Sequence, residues 1–170
     1  TVPCGGARMT RSIIVGAHGQ DGTLLSGLLA EKGHQVTGIG RGDLDICDHL
    51  AVKNLFSTGC DHVYYLAAHH HSSQDSTGSG SRELYEKSHA VHVLGLVNFL
   101  DAIHSSSPRT RLFYASSSLV FGSPNTEPQT ESTLLDPACI YGITKACGMR
   151  LCRHYREKHD VFASTGILFN

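Results

Sequence analysis

The sequence predicts an α/β domain built on a doubly wound parallel sheet, and three observations carry that expectation. Short β-branched runs alternate with longer stretches of helical apolar periodicity along the chain. A glycine-rich turn stands directly between the first such run and the first periodic stretch. A later run, His62-Val63-Tyr64-Tyr65-Leu66-Ala67-Ala68, ends in small residues, which leave room for a ligand to lie across the end of a central strand.

Bulk properties narrow the field. At 170 residues the chain is one domain, long enough to bury a core. An apolar content of 40% with 17% charged residues describes a globular protein that lives in water. The net charge of -1 makes no electrostatic case for nucleic acid or an acidic membrane surface. No apolar run approaches a membrane span, and Thr1 to Met9 has no apolar core of the kind a signal peptide carries. Met9 reads as the natural start, residues 1–9 as a tail or cloning remnant, and residues 10–170 as the folded domain. Six cysteines occur without a C-x-x-C pair and read as reduced thiols in a cytoplasmic protein.

The elements follow in order. Ser12 to Val15 is a buried strand by pattern, and it runs into Gly16-Ala17-His18-Gly19-Gln20-Asp21-Gly22. Leu24, Leu25, Leu28 and Leu29 then mark a helix that ends at Gly33, and Gln35 to Ile39 is a second strand. Strand, G-x-x-G-x-x-G turn, helix and strand make the unit in which the backbone approaches a pyrophosphate closely and a helix N-terminus faces it. After the second strand stands Gly40-Arg41-Gly42, with no acid at the strand end to read a ribose 2′-hydroxyl; Arg41 suits a 2′-phosphate, so NADP is expected, with NAD possible. Leu44 to Ile46 follows at once, so a third strand there is short or absent, and residues 48–56 are helical.

After the strand at 62–68, the run His69-His70-His71 invites a metal reading. Consecutive histidines cannot easily converge on one ion, and no acid or cysteine stands at ligand spacing, so no metal is expected and the run reads as loop at the mouth of a site. Residues 72–81 form a polar loop, 83–105 a long helix, 111–115 a strand and 121–137 a turn-rich segment with three prolines. A helix over 141–159 and a strand over 161–169 complete the series.

The chemistry concentrates at Ser116-Ser117-Ser118 and Tyr141-Gly142-Ile143-Thr144-Lys145. On a helix Tyr141 and Lys145 share a face one turn apart. An ammonium beside a phenol favours phenolate, so Lys145 is expected to lower the Tyr141 pKa toward a value that suits an acid/base.

Taken together, Gly16 to Gly22, Leu66-Ala67-Ala68, Tyr114 to Ser118 and Tyr141-x-x-x-Lys145 resemble the extended short-chain dehydrogenase/reductases, the NAD-dependent epimerase/dehydratase family. Gly19-Gln20-Asp21-Gly22, the Tyr141 to Lys145 motif and Gly166 to Asn170 are most similar to its GDP-mannose 4,6-dehydratase branch. The resemblance implies a Rossmann-like sheet, an NAD(P) cofactor and a nucleotide-sugar substrate oxidised at C4. It implies that Ser117 binds the reacting oxygen, that Tyr141 is the acid/base, and that Lys145 tunes it and holds the nicotinamide ribose. It assigns Gly16, Gly19, Gln20, Asp21 and Gly22 to the pyrophosphate side. Asp45 and Ile46 fall to the adenine, and Leu66, Ala67 and Ala68 to the floor under the cofactor. It also implies a homodimer through the 83–105 and 141–159 helices.

Two departures qualify the resemblance. Two positions after Ser117, where the dehydratases carry an acid for the elimination step, this chain has Leu119, which moves no proton. Members of the family also run to about twice this length, and the absent part supplies most sugar-nucleotide contacts. The alternative expectation is therefore a non-catalytic cofactor-binding module; an ordinary alcohol dehydrogenase is a more distant one.

Overall fold

Every strand in the sheet runs the same way. The structure, a computed structural model, describes residues 8–69, 81–124 and 127–169. Its strands are β1 (Arg11–Val15), β2 (Gln35–Ile39), β3 (His62–Tyr65), β4 (Arg111–Ser117) and β5 (Ala163–Leu168), hydrogen-bonded in the order β2-β1-β3-β4-β5. Register runs from Arg11 opposite Gln35 on one side of β1 and Ser12 opposite His62 on the other. Parallel pairing requires crossovers, and α1 (Gln20–Glu31), α2 (His49–Leu55), α3 (Ser81–His89), α4 (Gly95–Ser106) and α5 (Ile140–His159) lie between the strands. The chain steps from β1 to β2 in one direction and from β3 through β4 to β5 in the other. Strand order therefore reverses between β1 and β3, and a crevice opens outside their carboxyl ends.

Alternation along the strands divides the apolar residues between two faces. Ile13, Val15, Val63, Tyr65, Leu112 and Tyr114 point to the face covered by α2, α4 and α5, where Phe56, Leu96, Phe99 and Ile103 complete a fully buried core. Ile14 and Ala17 point to the other face, against Leu29 of α1. Tyr65 and Phe56 both meet the Phe99 ring edge-on, with centroids 5.6 and 6.1 Å apart. Asp48, just ahead of α2, accepts from the amides of Leu50 and Ala51 as its N-cap.

The helix expected over 83–105 is interrupted. Residues 90–94 form a π turn between α3 and α4, and two phenols from the sheet reach its carbonyls: Tyr65 donates to Val91 O at 2.6 Å and Tyr114 to His92 O at 3.4 Å. Periodicity cannot reveal such a turn, because the groups that meet its carbonyls, two buried tyrosines, come from β3 and β4. The strand expected over 62–68 stops at Tyr65, and Leu66 to Ala68 continue as irregular chain. The strand expected over 111–115 instead runs on through Ser117, and Ser118–Phe121 is a 3₁₀ turn. Leu44 to Ile46 form no strand, as their brevity suggested.

Candidate functional site

The crevice at the ends of β1, β2 and β3 is a cleft of about 940 Å³. Four segments line it: the glycine loop through Gly16, His18 and Gly19, the turn 40–46, Leu66-Ala67-Ala68, and Val91 of the π turn. Gly16 sits at φ +92°, and a Cβ there would lie 2.8 Å from Ala67 N, so only glycine lets the loop rest against the chain leaving β3. Gly19 is the extended N-cap of α1 and offers no side chain to its first amides, which leaves N–H groups and the positive dipole end beside the cleft.

Of the residues expected at a cofactor, Gly16, Gly19, Arg41, Asp45, Ile46, Leu66, Ala67 and Ala68 line this cleft. Gln20, Asp21, Gly22, Tyr141 and Lys145 do not. Gln20 and Asp21 are exposed in the first turn of α1. Gly22 is buried behind the loop, where a Cβ would overlap the Gly16 carbonyl and lie 2.7 Å from Ala17 Cα. It brings the helix close without facing the cleft. The turn 40–46 is held from within: Asp45 accepts from Cys47 N at 2.9 Å, and Asn98 of α4 donates to Ile46 O at 2.9 Å.

The turn also carries an acid that the strand-end reading passed over. Asp43 lies four residues beyond Ile39, yet Gly42 at φ +94° folds the chain back so that Asp43 lines the cleft. Its carboxylate accepts from Gly40 N at 2.8 Å and stands 3.5 Å from His18 Nε2. His18 is a second residue missed; it occupies a variable position of the glycine motif, so spacing gave it no signal.

A second cluster forms where β4 ends. Ser117 is the last residue of that strand, and its Oγ accepts from Leu119 N at 3.3 Å, capping the 3₁₀ turn. That turn bears on the first turn of α5: a Cβ on Gly142 would lie 2.5 Å from Leu119 O. Cys139 caps α5 by accepting from Gly142 N at 3.4 Å. Lys145 is 1% exposed; its Nζ donates to Ala115 O at 2.8 Å and lies 5.1 Å from the Tyr114 ring centroid and 5.7 Å from that of Tyr141. Tyr141 and Lys145 thus share a face, as the i,i+4 spacing required, beside the end of the strand that carries Ser117.

Their electrostatics differ from expectation. Burial pushes the Lys145 ammonium down to about 7. The Tyr141 phenol is raised by its own half-burial, with Cys139 adding to the effect. The lowering expected from Lys145 does not prevail, because desolvation of the half-buried phenol is the largest effect on it and raises it. Leu119 is 46% exposed and brings no proton-transfer group to the turn.

Of the histidine run, His70 and His71 lie outside the described residues, as does the loop through residue 80. Among the described residues no three histidine, cysteine or acidic side chains are grouped to hold a metal ion, and no helix is long and apolar enough to cross a membrane.

Comparison with known proteins agrees with this fold. The chain is 30% identical to GDP-mannose 4,6 dehydratase 2 of Caenorhabditis elegans over 94% of its own length and 48% of that protein's. It is 29% identical to GDP-mannose 4,6-dehydratase of Vibrio cholerae serotype O1 over 94% of itself and 49% of the relative. The chain therefore spans about half the length of the curated relatives it matches. Among solved structures it resembles UDP-glucose 4-epimerase from Brucella ovis in complex with NAD, with a TM-score of 0.82 at 20% identity over 95% of this chain and 52% of the other. It also resembles dTDP-4-dehydrorhamnose reductase from Bacillus anthracis in complex with NADP, with a TM-score of 0.77 at 23% identity over 94% and 53%. At these identities the structural likeness shows the fold. Residues 12–170 match the NAD dependent epimerase/dehydratase family, and the chain belongs to it.

Proposed function

We propose that the chain carries the cofactor-binding and oxidising half of a nucleotide-sugar-modifying enzyme, acting on a sugar hydroxyl at C4. The observation that carries this reading is the placement of Tyr141 and Lys145, packed on the end of β4, at the same edge of the sheet as the glycine-loop cleft. The cleft suits a nicotinamide dinucleotide: the glycine at 16 admits a backbone approach that a Cβ would block, and the open N-terminus of α1 is a donor set for pyrophosphate. The bound nicotinamide would accept the hydride from C4.

The residues of the chain handle the proton. Tyr141 acts as base by relay: the phenol, which keeps its proton at neutral pH because half-burial raises it, passes that proton to neutral Lys145 as it takes the one from the C4 hydroxyl. Ser117, whose Oγ accepts from Leu119 N, keeps its O–H to donate to the reacting oxygen. Lys145, pushed to about 7, is half protonated near neutrality, so it can gain or lose a proton at little cost beside Tyr141 and hold a ribose hydroxyl. Leu119 supports no proton abstraction at C5, which favours an epimerase or reductase outcome over a full 4,6-elimination.

Arg41 supports NADP. Asp43 in the same turn is the kind of residue that reads a 2′-hydroxyl, and that observation favours NAD as the second reading. Exposed Tyr85, Leu94 and Ile143 on α3, the π turn and α5 support a homodimer across those helices. The free thiols of Cys47, Cys139 and Cys147 support a reducing, cytoplasmic setting. The alternative, a binding module without turnover, rests on Leu119.

Calorimetric titration with NADPH and NADH tests the cleft, and turnover of nucleotide sugars by the chain and its Tyr141→Phe variant tests the chemistry. Binding with turnover abolished in the variant is expected. Binding without turnover establishes the module; no binding, or a Tyr141→Phe variant as active as the parent, overturns the reading.

A further inference from the structure

We propose that His92 is a positioning residue that fixes the first turn of α5, and with it Tyr141, to the chain leaving β3. His92 stands in the π turn and is fully buried. Its Nε2 accepts from the backbone N–H of His69 at 3.0 Å, and its Nδ1 lies 2.8 Å from Thr144 Oγ1. A backbone amide can only donate, so Nε2 must carry the lone pair and Nδ1 the hydrogen. Nδ1–H therefore donates to Thr144, whose own hydroxyl hydrogen turns back to Ile140 O at 2.9 Å, with Tyr141 O at 3.1 Å. Every donor and acceptor in this chain of bonds has its direction set. The ring also meets Tyr141 edge-on, with centroids 5.1 Å apart and planes at 84°.

One imidazole thus ties three segments together: the residue after the Leu66-Ala67-Ala68 floor, the π turn, and the turn that presents the phenol. Burial, with Lys145 and His69 nearby, pushes its pKa down to about 3, so the ring stays neutral and keeps a single tautomer through the physiological range. A protonated ring would have no lone pair for the His69 amide. The catalytic importance of the strap rests on the reading of Tyr141 as acid/base; its existence does not.

Two measurements on the full chain test it, both without substrate. In the first, nitrogen NMR of ¹⁵N-histidine-labelled protein reads the tautomer; Nδ1–H with bare Nε2 is expected at pH 6 to 8, and the opposite tautomer overturns the proposal. In the second, ring-labelled tyrosine, with Tyr141 assigned by its loss in Tyr141→Phe, reads the phenol's ionisation midpoint. The strap holds Tyr141 in the half-buried setting that raises it. His92→Ala should therefore lower the midpoint by about half a pH unit or more toward that of free tyrosine. His92→Asn, whose amide nitrogen replaces Nδ1 and keeps the bond to Thr144 but loses the one from His69 N, should fall between the parent and His92→Ala. Thr144→Val, which cuts the bond from the other side and keeps the volume, should behave as His92→Ala and serves where that variant does not fold. A midpoint unmoved in a folded His92→Ala or Thr144→Val variant overturns the proposal. Equal turnover in Tyr141→Phe and parent would remove the catalytic reading and leave these results standing.

Discussion

Lys145→Met is expected to stabilise the protein while removing a residue its proposed chemistry needs. Burial moves the ammonium from its ordinary 10.5 to about 7, so between those values the unfolded chain holds a proton the native state has released. Stability must then rise with pH across that window, and the penalty is full below pH 7. With these two values the penalty is about 4 kcal/mol at pH 7 and about 2.5 to 3 at pH 8.5, so the parent should gain about 1.5 kcal/mol between them. Methionine fills a similar volume without charge. It leaves Ala115 O without its donor, which costs about 1 to 2 kcal/mol, so the net gain at pH 7 is about 2 to 3 kcal/mol. Above pH 9 the trend reverses, because burial raises Cys60 to about 11 and Cys152 to about 12, and the unfolded thiols then ionise first. Urea unfolding at pH 7 and 8.5 is the assay. A parent whose stability is flat over that interval, or a Lys145→Met variant that keeps the parent's slope or is less stable at pH 7, refutes the reasoning.

His92 gives the acid counterpart: with its pKa pushed down from 6.5 to about 3, its contribution is whole above pH 6.5 and is lost as pH falls toward 3. His92→Asn should therefore lose stability less steeply over that range in urea titrations. Gly27→Ala and Gly148→Ala should act in opposite senses in thermal melts. The first meets nothing within 4 Å and should gain about 0.5 to 1 kcal/mol of helix stability, whereas the second drives a methyl into the Tyr114 ring and should cost about 1 to 3. In the cleft, Arg41→Ala should weaken NADPH more than NADH, and Asp43→Asn should weaken NADH more than NADPH, each about tenfold by calorimetry. Equal losses for both cofactors in both variants would remove these residues from discrimination.

The parallel sheet was legible because each crossover carries its own punctuation: Gly16 to Gly22 before α1, Gly33 after it, Asp48 before α2. The absence of a strand at Leu44 to Ile46 followed from simple shortness. The interruption of the 83–105 helix was not legible, since apolar spacing through Val91, Leu94, Val97 and Leu100 is compatible with an unbroken helix. The phenols that bond the carbonyls of residues 90–94 come from strands that lie elsewhere in sequence. Asp43 was missed because the reading stopped at the strand end, whereas a glycine at positive φ folds the next residues back into the cleft. The sign of the Tyr141 shift was missed for a different reason. Spacing tells which groups are neighbours, but a pKa depends on how deeply each is buried and on which atom the charge approaches.

The burial of Lys145 is the strongest argument that this edge of the sheet is built for chemistry. Its hydrogen bond goes to a carbonyl, and among the described residues no carboxylate pairs with it. An apolar side chain would fit the same space at lower free energy, and Thr144 and His92 likewise spend buried polar groups on fixing one turn of α5. The cleft beside it is built oppositely, from exposed charges on a turn, with His18 and Asp43 side chains 68% and 48% exposed. The ammonium, by contrast, cannot move without breaking its buried bond to Ala115 O. A fixed, buried cation beside a phenol is what the proposed proton transfer requires, and a module that only bound cofactor would gain nothing from keeping a destabilising lysine inside it.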